Sequence, residues 1–364
     1  MYKSFTAKNY RCFTDLTIEP LERINLIVGK NNVGKTALLE ALWLYHGYHN
    51  PSLGASVSAY RGLERQKANE LMWDLFSEFD PTRTIELICQ DSDDQPKSLH
   101  ITTQERPVSH IPLRNRIQER VSGYELLTAK VVGQKVTTEP VKSEVLFTYH
   151  DSSGEPIQTC VYVGPDGTMR FEQPATVEKL KGVFLVARRP DNPQDLVESF
   201  SDLAIDKKEN KIIQTLQIIE SRLKNLAIQH RGGVPTIYGD VGLARLVPLP
   251  LMGDGIGRLL GIALAISTAP GGIVLIDEVE SGLHYTVMSQ VWQAIARLAR
   301  EYDVQIFATT HNEECIRAAH QAFAADEVYD FALHRLEWVK GAIRAVTYDQ
   351  ETLEAAIEID VEVR

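Results

Sequence analysis

The eight residues Gly29-Lys30-Asn31-Asn32-Val33-Gly34-Lys35-Thr36 constrain this chain more than any others. They fit G-x-x-x-x-G-K-[ST] at every position and stand between two segments of different periodicity. Before them, Arg23-Ile24-Asn25-Leu26-Ile27-Val28 is a short β-branched run stopped by a glycine, as a buried strand should be. After them, Ala37 to Leu44 is a run of strong helix formers with no breaker. Strand, glycine-bounded loop and helix is the setting in which backbone N–H groups and a helix N-terminus face an anion. Gly29 and Gly34 let the backbone wrap a phosphate closely, with Asn31 and Asn32 in the same wrap. Lys35 is placed to reach β- and γ-phosphates, and the Thr36 hydroxyl to ligate Mg²⁺. A ligand-free glycine turn is the alternative, and the flanking strand and helix weigh against it.

A second constellation lies far along the chain. Gly272-Ile273-Val274-Leu275-Ile276-Asp277-Glu278 is an apolar strand ending in two carboxylates. Such an ending is costly unless a cation or water receives it. Asp277 is suited to hold Mg²⁺ through a water, and Glu278 to polarise an attacking water as general base. An acidic turn at a strand end is the bland reading. Phe307-Ala308-Thr309-Thr310-His311-Asn312 closes the next apolar strand with a histidine, placed to hydrogen-bond a γ-phosphate and sense its loss. Ligands of open α/β sheets bind at the carboxyl ends of strands, which is where all three groups fall.

The remainder supplies the layout. Lys3 to Asn9 and Leu16 to Glu19 read as paired strands. Thr84 to Gln90, Ser98 to Thr103, Ser143 to His150 and Gln158 to Val163 read as hairpin strands inserted between two halves of an α/β fold. Gly182 to Ala187 is one more strand, and Asp202 to Ala227 carries a helical apolar stripe. Helices follow at Ile256 to Ser267, Val287 to Arg300 and Glu351 to Ile359, with a strand at Val304 to Thr309 and a hairpin around Lys340-Gly341. At 364 residues and 44% hydrophobic, the chain is ample for a real core and is neither disordered nor fibrous. Its cysteines, Cys12, Cys89, Cys160 and Cys315, lack zinc spacing and read as reduced thiols.

The order of loop, Asp-Glu strand and strand-end histidine resembles an ATP-binding-cassette (ABC) ATPase head. The opening Phe5-Thr6-Ala7-Lys8-Asn9-Tyr10-Arg11-Cys12-Phe13 is similar to the F-x-x-x-N-[FY]-R-x-F start of the RecF/SMC class. Within that class the chain looks most like the ATPase part of OLD-type proteins. The resemblance implies an α/β fold: an ABC-type P-loop NTPase head with a mixed β-sheet core, an inserted antiparallel hairpin-rich region and a helical subdomain. One head is expected over 1–364. It comprises N-terminal strands and phosphate loop (1–49), insertion (50–181), strand plus helical subdomain (182–235), and signature through C-terminal helix (236–364).

The resemblance also implies a signature segment that meets the nucleotide of a second subunit. Leu251-Met252-Gly253-Asp254-Gly255-Ile256-Gly257-Arg258 matches it, with Gly253 where the pattern has serine, and a simple helix-start turn is the alternative. Gly253, Asp254 and Gly255 are thus nucleotide-contacting candidates, and Glu280-Ser281-Gly282-Leu283-His284 matches the D-loop. Gln90 is a Q-loop candidate, or else an exposed hairpin glutamine. Too little chain follows His311 for the TOPRIM nuclease domain of full-length OLD proteins, and no heptad run suggests a coiled-coil arm.

By the same resemblance, ATP and Mg²⁺ are the expected cofactors and an ATP-dependent homodimer the expected assembly. The expected role is an ATP-hydrolysing switch acting on a separate, TOPRIM-like effector in prokaryotic phage or plasmid defence. A RecF-like DNA clamp is the rival and a transporter ATPase a third reading. The net charge of −11 leans against direct DNA coating. Six basic residues between Arg106 and Lys135, against Glu119 and Glu125, form either a solvated face or a nucleic-acid contact. The longest apolar run, Leu259 to Ile266, is too short to span a membrane, so a cytoplasmic location is expected.

Overall fold

The computed structural model describes residues 1–62, 72–92, 95–111, 139–151, 154–164, 169–172, 181–187, 193–231 and 233–359. The basic stretch from Arg114 to Lys135 lies outside the described residues. The chain divides into two compact units. One comprises Met1–Pro20, Asn32–Leu180 and Leu336–Ala345; the other comprises Leu21–Asn31, Lys181–Arg335 and Val346–Arg364.

The first unit is built on a seven-stranded antiparallel sheet. Its strands are β1 (Tyr2–Tyr10), β2 (Phe13–Ile18), β4 (Ile85–Asp91), β5 (Pro96–Ile111), β6 (Glu139–His150), β7 (Ile157–Val163) and β8 (Met169–Glu172), in the order β2-β1-β4-β5-β6-β7-β8. Alternation sets the register: Ile85, Leu87 and Cys89 of β4 are buried, and Cys89 lies opposite the buried Phe5 of β1. The hairpin-rich stretch therefore continues the sheet begun by the N-terminal strands. Gln90 sits within β4, opposite Ser4 and Pro96. Helix α1 (Lys35–His46) belongs to this unit and is buried from Ala37 to His46. Its Tyr45 packs edge-on against Tyr2 and Phe5. Such burial includes a charge, Glu40, which is 1% exposed and is met by Arg11 at 3.2 Å and by the forked guanidinium of Arg61 at 2.8 and 2.9 Å. A short helix, α2 (Leu53–Ala59), follows.

The second unit holds most of a six-stranded sheet ordered β16-β15-β3-β14-β13-β9, the tip of the β15–β16 hairpin, Leu336–Ala345, being counted with the first. Its strands are β3 (Ile24–Val28), β9 (Gly182–Leu185), β13 (Ile273–Ile276), β14 (Gln305–Thr309), β15 (Phe331–Val339) and β16 (Ala342–Tyr348). From β15 to β9 all neighbours run parallel. Every residue of β3, β13 and β14 is buried, which explains why they read as continuous apolar runs rather than alternating ones. Helices α5 (Asp254–Thr268), α6 (Met288–Glu301), α7 (Glu313–Ala324) and α8 (Gln350–Glu358) supply the apolar cover. His334 of β15 is buried between Thr347 and Asn25, hydrogen-bonding both, so even this polar pair is satisfied inside the sheet. Among the described residues no helix is long and apolar enough to cross a membrane.

The stripe expected as one helix over 202–227 is instead three elements. Helix α3 (Pro193–Ile205) ends where Lys207 turns left-handed, φ 58°. There Lys208 N–H bonds Leu203 C=O and Lys207 N–H bonds Ala204 C=O, a Schellman stop without the usual glycine. Helix α4 (Glu209–Leu216) follows, and Leu226 then lies in a strand, β10 (Asn225–Arg231). Strands β10, β11 (Val234–Asp240) and β12 (Val247–Pro248) form a three-stranded sheet that helical periodicity concealed. Leu216, Leu223 and Leu226 share one core despite the break, so their spacing reflected burial rather than a continuous helix.

Candidate functional site

The glycine loop leaves the end of β3 and enters α1, passing from the second unit to the first between Asn31 and Asn32. Three positions take positive φ: Gly29 at 141°, Asn32 at 64° and Gly34 at 95°. Asparagine is the side chain that tolerates this region best, so Asn32 suits its place. Lys30, Asn31 and Asn32 are exposed, whereas Gly34, Lys35 and Thr36 are half-buried. Gly34 is the N-cap of α1; no side chain caps that helix, and its first turn carries no acidic residue. A side chain on Gly34 would also strike Cys12 and Phe13, within 2.8 Å of an added Cβ. The β1–β2 turn thus backs the loop and excludes anything larger than glycine. An uncapped helix start behind a glycine wrap suits a phosphate.

In the second unit, β3, β14 and β13 are neighbours, in register at Ile27, Thr309 and, one step beyond Ile276, Asp277. Gly29, Thr310-His311 and Asp277-Glu278 therefore leave the same carboxyl end of three adjacent parallel strands, a span of about 10 Å from β3 to β13 at ordinary strand spacing. Asp277 is 7% exposed; its Oδ1 accepts from the Thr309 hydroxyl at 2.7 Å. The same hydroxyl accepts the Glu278 N–H at 2.9 Å. Glu278 is exposed and turns left-handed, φ 50°, which costs a non-glycine residue about 1–2 kcal/mol. Arg258, from α5, donates to the carbonyls of Asp277 at 2.6 Å and Glu278 at 3.1 Å. The turn is thus held from three directions, with the Glu278 carboxylate left facing outward.

The expected signature residues open α5. Gly253 is its N-cap at φ 105°, Gly253 and Asp254 are exposed, and an added Cβ on Gly253 meets nothing within 4 Å. Gly255 instead abuts the segment expected as the D-loop, since its added Cβ would lie 2.7 Å from the Gly282 carbonyl. The second unit contains Gly29, Asn31, Gly253, Asp254, Gly255, Asp277, Glu278 and His311. Asn32, Gly34, Lys35 and Thr36 belong to the first.

Thr309 and Arg258 escaped the sequence reading. A threonine closing an apolar run looks like ordinary strand punctuation, and Arg258 like an exposed helix charge. Thr309→Val keeps the shape but removes both hydrogen bonds to the carboxylate turn. We expect ATP turnover to fall about tenfold, at roughly 1–1.5 kcal/mol for the lost pair, with Thr309→Ser near wild type. Phosphate-release assays check this, and wild-type turnover in the valine variant would show that Thr309 does not hold the pair.

A parallel sheet whose inner strand feeds a glycine loop and helix, and whose neighbouring strands end in a histidine and an acidic pair, defines a P-loop ATPase. Comparison with known proteins carries this further. An "AAA ATPase domain" family model matches residues 1–155, and a model described as "AAA domain, putative AbiEii toxin, Type IV TA system" matches 177–317. A Helicobacter pylori protein named "ATP/GTP phosphatase" is 21% identical over 334 residues, covering 88% of each chain. An uncharacterized Methanocaldococcus jannaschii protein is 44% identical over 45 residues, 12% of this chain and 20% of that one. Among solved structures, an SMC head bound to the C-winged helix domain of ScpA aligns at 12% identity with a TM-score of 0.48, covering 98% and 99% of the two chains. An SMC head domain from Thermotoga maritima aligns at 13% and 0.39, covering 96% and 99%. The chain is an ATPase, similar to AAA domains over residues 1–155 and 177–317.

Proposed function

We propose that this ATPase is a switch that closes as a homodimer around ATP, with Mg²⁺, and regulates a separately encoded effector. The observation that carries the proposal is the start of α5: exposed, framed by Gly253, and seated by Gly255 on the D-loop beside Glu278's turn. A helix N-terminus left open in this way suits a γ-phosphate arriving from a second copy. In this reading Lys35, Gly29, Asn31, Asn32 and Gly34 hold the triphosphate of their own chain, and Gly253, Asp254 and Gly255 meet that of the partner copy. Gly253 replaces a hydroxyl donor with none, so the closed state relies on backbone N–H groups there.

Thr36 and Asp277 would hold Mg²⁺. Both offer hard oxygen donors, and a buried carboxylate such as Asp277 favours a cation nearby. Among the described residues no group of three His, Cys, Asp or Glu side chains is placed to hold a metal by itself. Mg²⁺ in nucleotide sites takes one or two protein ligands and completes its shell with phosphates and water. When bound, Mg²⁺ neutralises charge on the β- and γ-phosphate oxygens. Glu278 orients the attacking water and accepts its proton, and His311 reads the presence of the γ-phosphate. Differential contacts in the ATP and ADP states shift the preferred geometry, which is how hydrolysis moves a partner.

For the effector we propose a TOPRIM-like nuclease in phage or plasmid defence, working in the cytoplasm. This rests on the likeness to OLD-type ATPases. A RecF-like clamp is disfavoured by the net charge of −11. Sedimentation velocity tests the core of the proposal: Mg·ATP should double the apparent mass and ADP should not. A monomer under all conditions would defeat it, and nuclease activity from this chain alone would contradict the separate effector.

A further inference from the structure

We infer that Glu280, in the D-loop, is a positioning residue for His311 that fixes which ring nitrogen faces the nucleotide. The inference rests on the nucleotide-site reading above and adds to it the orientation of the histidine. Glu280 Oε1 accepts the backbone N–H of His311 at 3.2 Å and lies 3.3 Å from His311 Nδ1. One carboxylate oxygen therefore bonds the main chain and lies within ion-pair distance of the ring of the same residue. The two side chains differ sharply in exposure, 11% for Glu280 and 56% for His311. The carboxylate is the buried anchor, and the imidazole is the outward-facing group.

The backbone around His311 is already pinned. Thr310 N–H bonds Ile27 C=O, Asn312 N–H bonds the Thr310 hydroxyl, and Asn312 caps α7 by accepting from Glu314 N–H. Only the ring torsions remain, and Glu280 is the acid that stands beside the ring. Its other oxygen, Oε2, is buried with no hydrogen-bond partner among the described residues. A half-satisfied buried carboxylate costs stability, so packing alone does not account for it. An acid kept at that cost and aimed at a single imidazole is explained by what it does to the imidazole.

The chemistry follows from the acceptor-only nature of a carboxylate. Nδ1 must carry a hydrogen to bond Glu280, so in the neutral ring Nε2 is the bare nitrogen. Nε2 lies on the opposite side of the ring from Glu280. A neutral ring held this way presents an acceptor, whereas phosphate oxygens are acceptors too. His311 therefore meets the γ-phosphate through an intervening water that donates to both. Moving the D-loop moves Glu280, and with it this acceptor, so the segment expected to sense the second copy also sets the histidine.

The test uses the full chain labelled with ¹⁵N-histidine, without nucleotide, in long-range ¹H–¹⁵N spectra at about pH 8.5, above the ordinary imidazole range. His311 is assigned among the ten histidines by the signal lost in His311→Asn. The expected wild-type pattern is a protonated Nδ1 and a bare Nε2. Glu280→Gln, whose amide oxygen still accepts, should keep it; Glu280→Ala should revert to the Nε2–H form favoured by free side chains. An Nε2–H ring in the wild type, or a tautomer unchanged in Glu280→Ala, would overturn the inference. In turnover assays Glu280→Ala should lose kcat on the order of tenfold with KM within about twofold, and Glu280→Gln should recover most of it. Equal losses in both variants would also overturn it, as the mark of structural support alone. Because the spectra contain no nucleotide, this outcome is separate from the Lys35 result that tests the nucleotide site itself.

Discussion

Lys35→Ala is expected to weaken ATP binding by on the order of a hundredfold or more. Lys35 is the first residue of α1, immediately after the left-handed Gly34. A lysine there supplies a charge-assisted hydrogen bond to phosphate oxygens, worth up to about 3 kcal/mol, which converts to about two decades in affinity. The substitution leaves the fold nearly untouched, since lysine and alanine differ little in helix propensity and the buried face of α1 begins at Ala37. Calorimetric titration with ATP, beside a melting curve showing an intact fold, separates the two effects. Unchanged affinity would remove the phosphate-loop assignment.

Glu278→Gln is expected to lower turnover by roughly 10²- to 10⁴-fold, the range of a lost general base, while ATP still binds. The geometry favours a clean result. Glu278's backbone is held by the Thr309 hydroxyl and Arg258, contacts that the glutamine keeps. Its carboxylate is exposed, so the isosteric amide leaves no buried group unpaired. Single-turnover hydrolysis is the decisive assay, because it isolates chemistry from product release. A variant that hydrolyses at the wild-type rate would place the base elsewhere.

Much of the candidate site was legible because phosphate chemistry imposes local patterns. A loop that must wrap an anion needs glycine, or asparagine, at left-handed positions, and Gly29, Asn32 and Gly34 occupy them. Buried parallel strands need continuous apolar runs, so β3, β13 and β14 stood out, and the candidate residues sit where each run stops. The contacts that hold the site were not legible. Thr309 and Arg258 act through partners 32 and 19 residues away, which no local pattern encodes. Glu280 was visible as a D-loop letter, but its bond to His311 spans 31 residues.

The fold was less evenly readable. Residues 202–227 satisfied helical spacing because Leu216, Leu223 and Leu226 all reach one core, yet the chain breaks at Lys207 and again before β10. Helix α7 was missed because its buried face is small, with Ala318, Ala319 and Ala322 beside Ile316 and Phe323, a weak apolar signal. Pairing of β1 with its sequence neighbour β2 was readable, but its pairing with the distant β4 was not: strand alternation fixes faces but does not name remote neighbours.

The most direct test is the structure of the Glu278→Gln protein bound to Mg·ATP. The expected result is one triphosphate wrapped by Gly29 to Thr36, Lys35 against its β- and γ-phosphates, and the metal on Thr36 and Asp277. His311 should lie beside the γ-phosphate, and Gly253 to Gly255 of a second copy should close the far side. A nucleotide bound away from the ends of β3, β14 and β13, or one wrapped by the loop with neither Asp277 nor His311 beside it, would contradict the account.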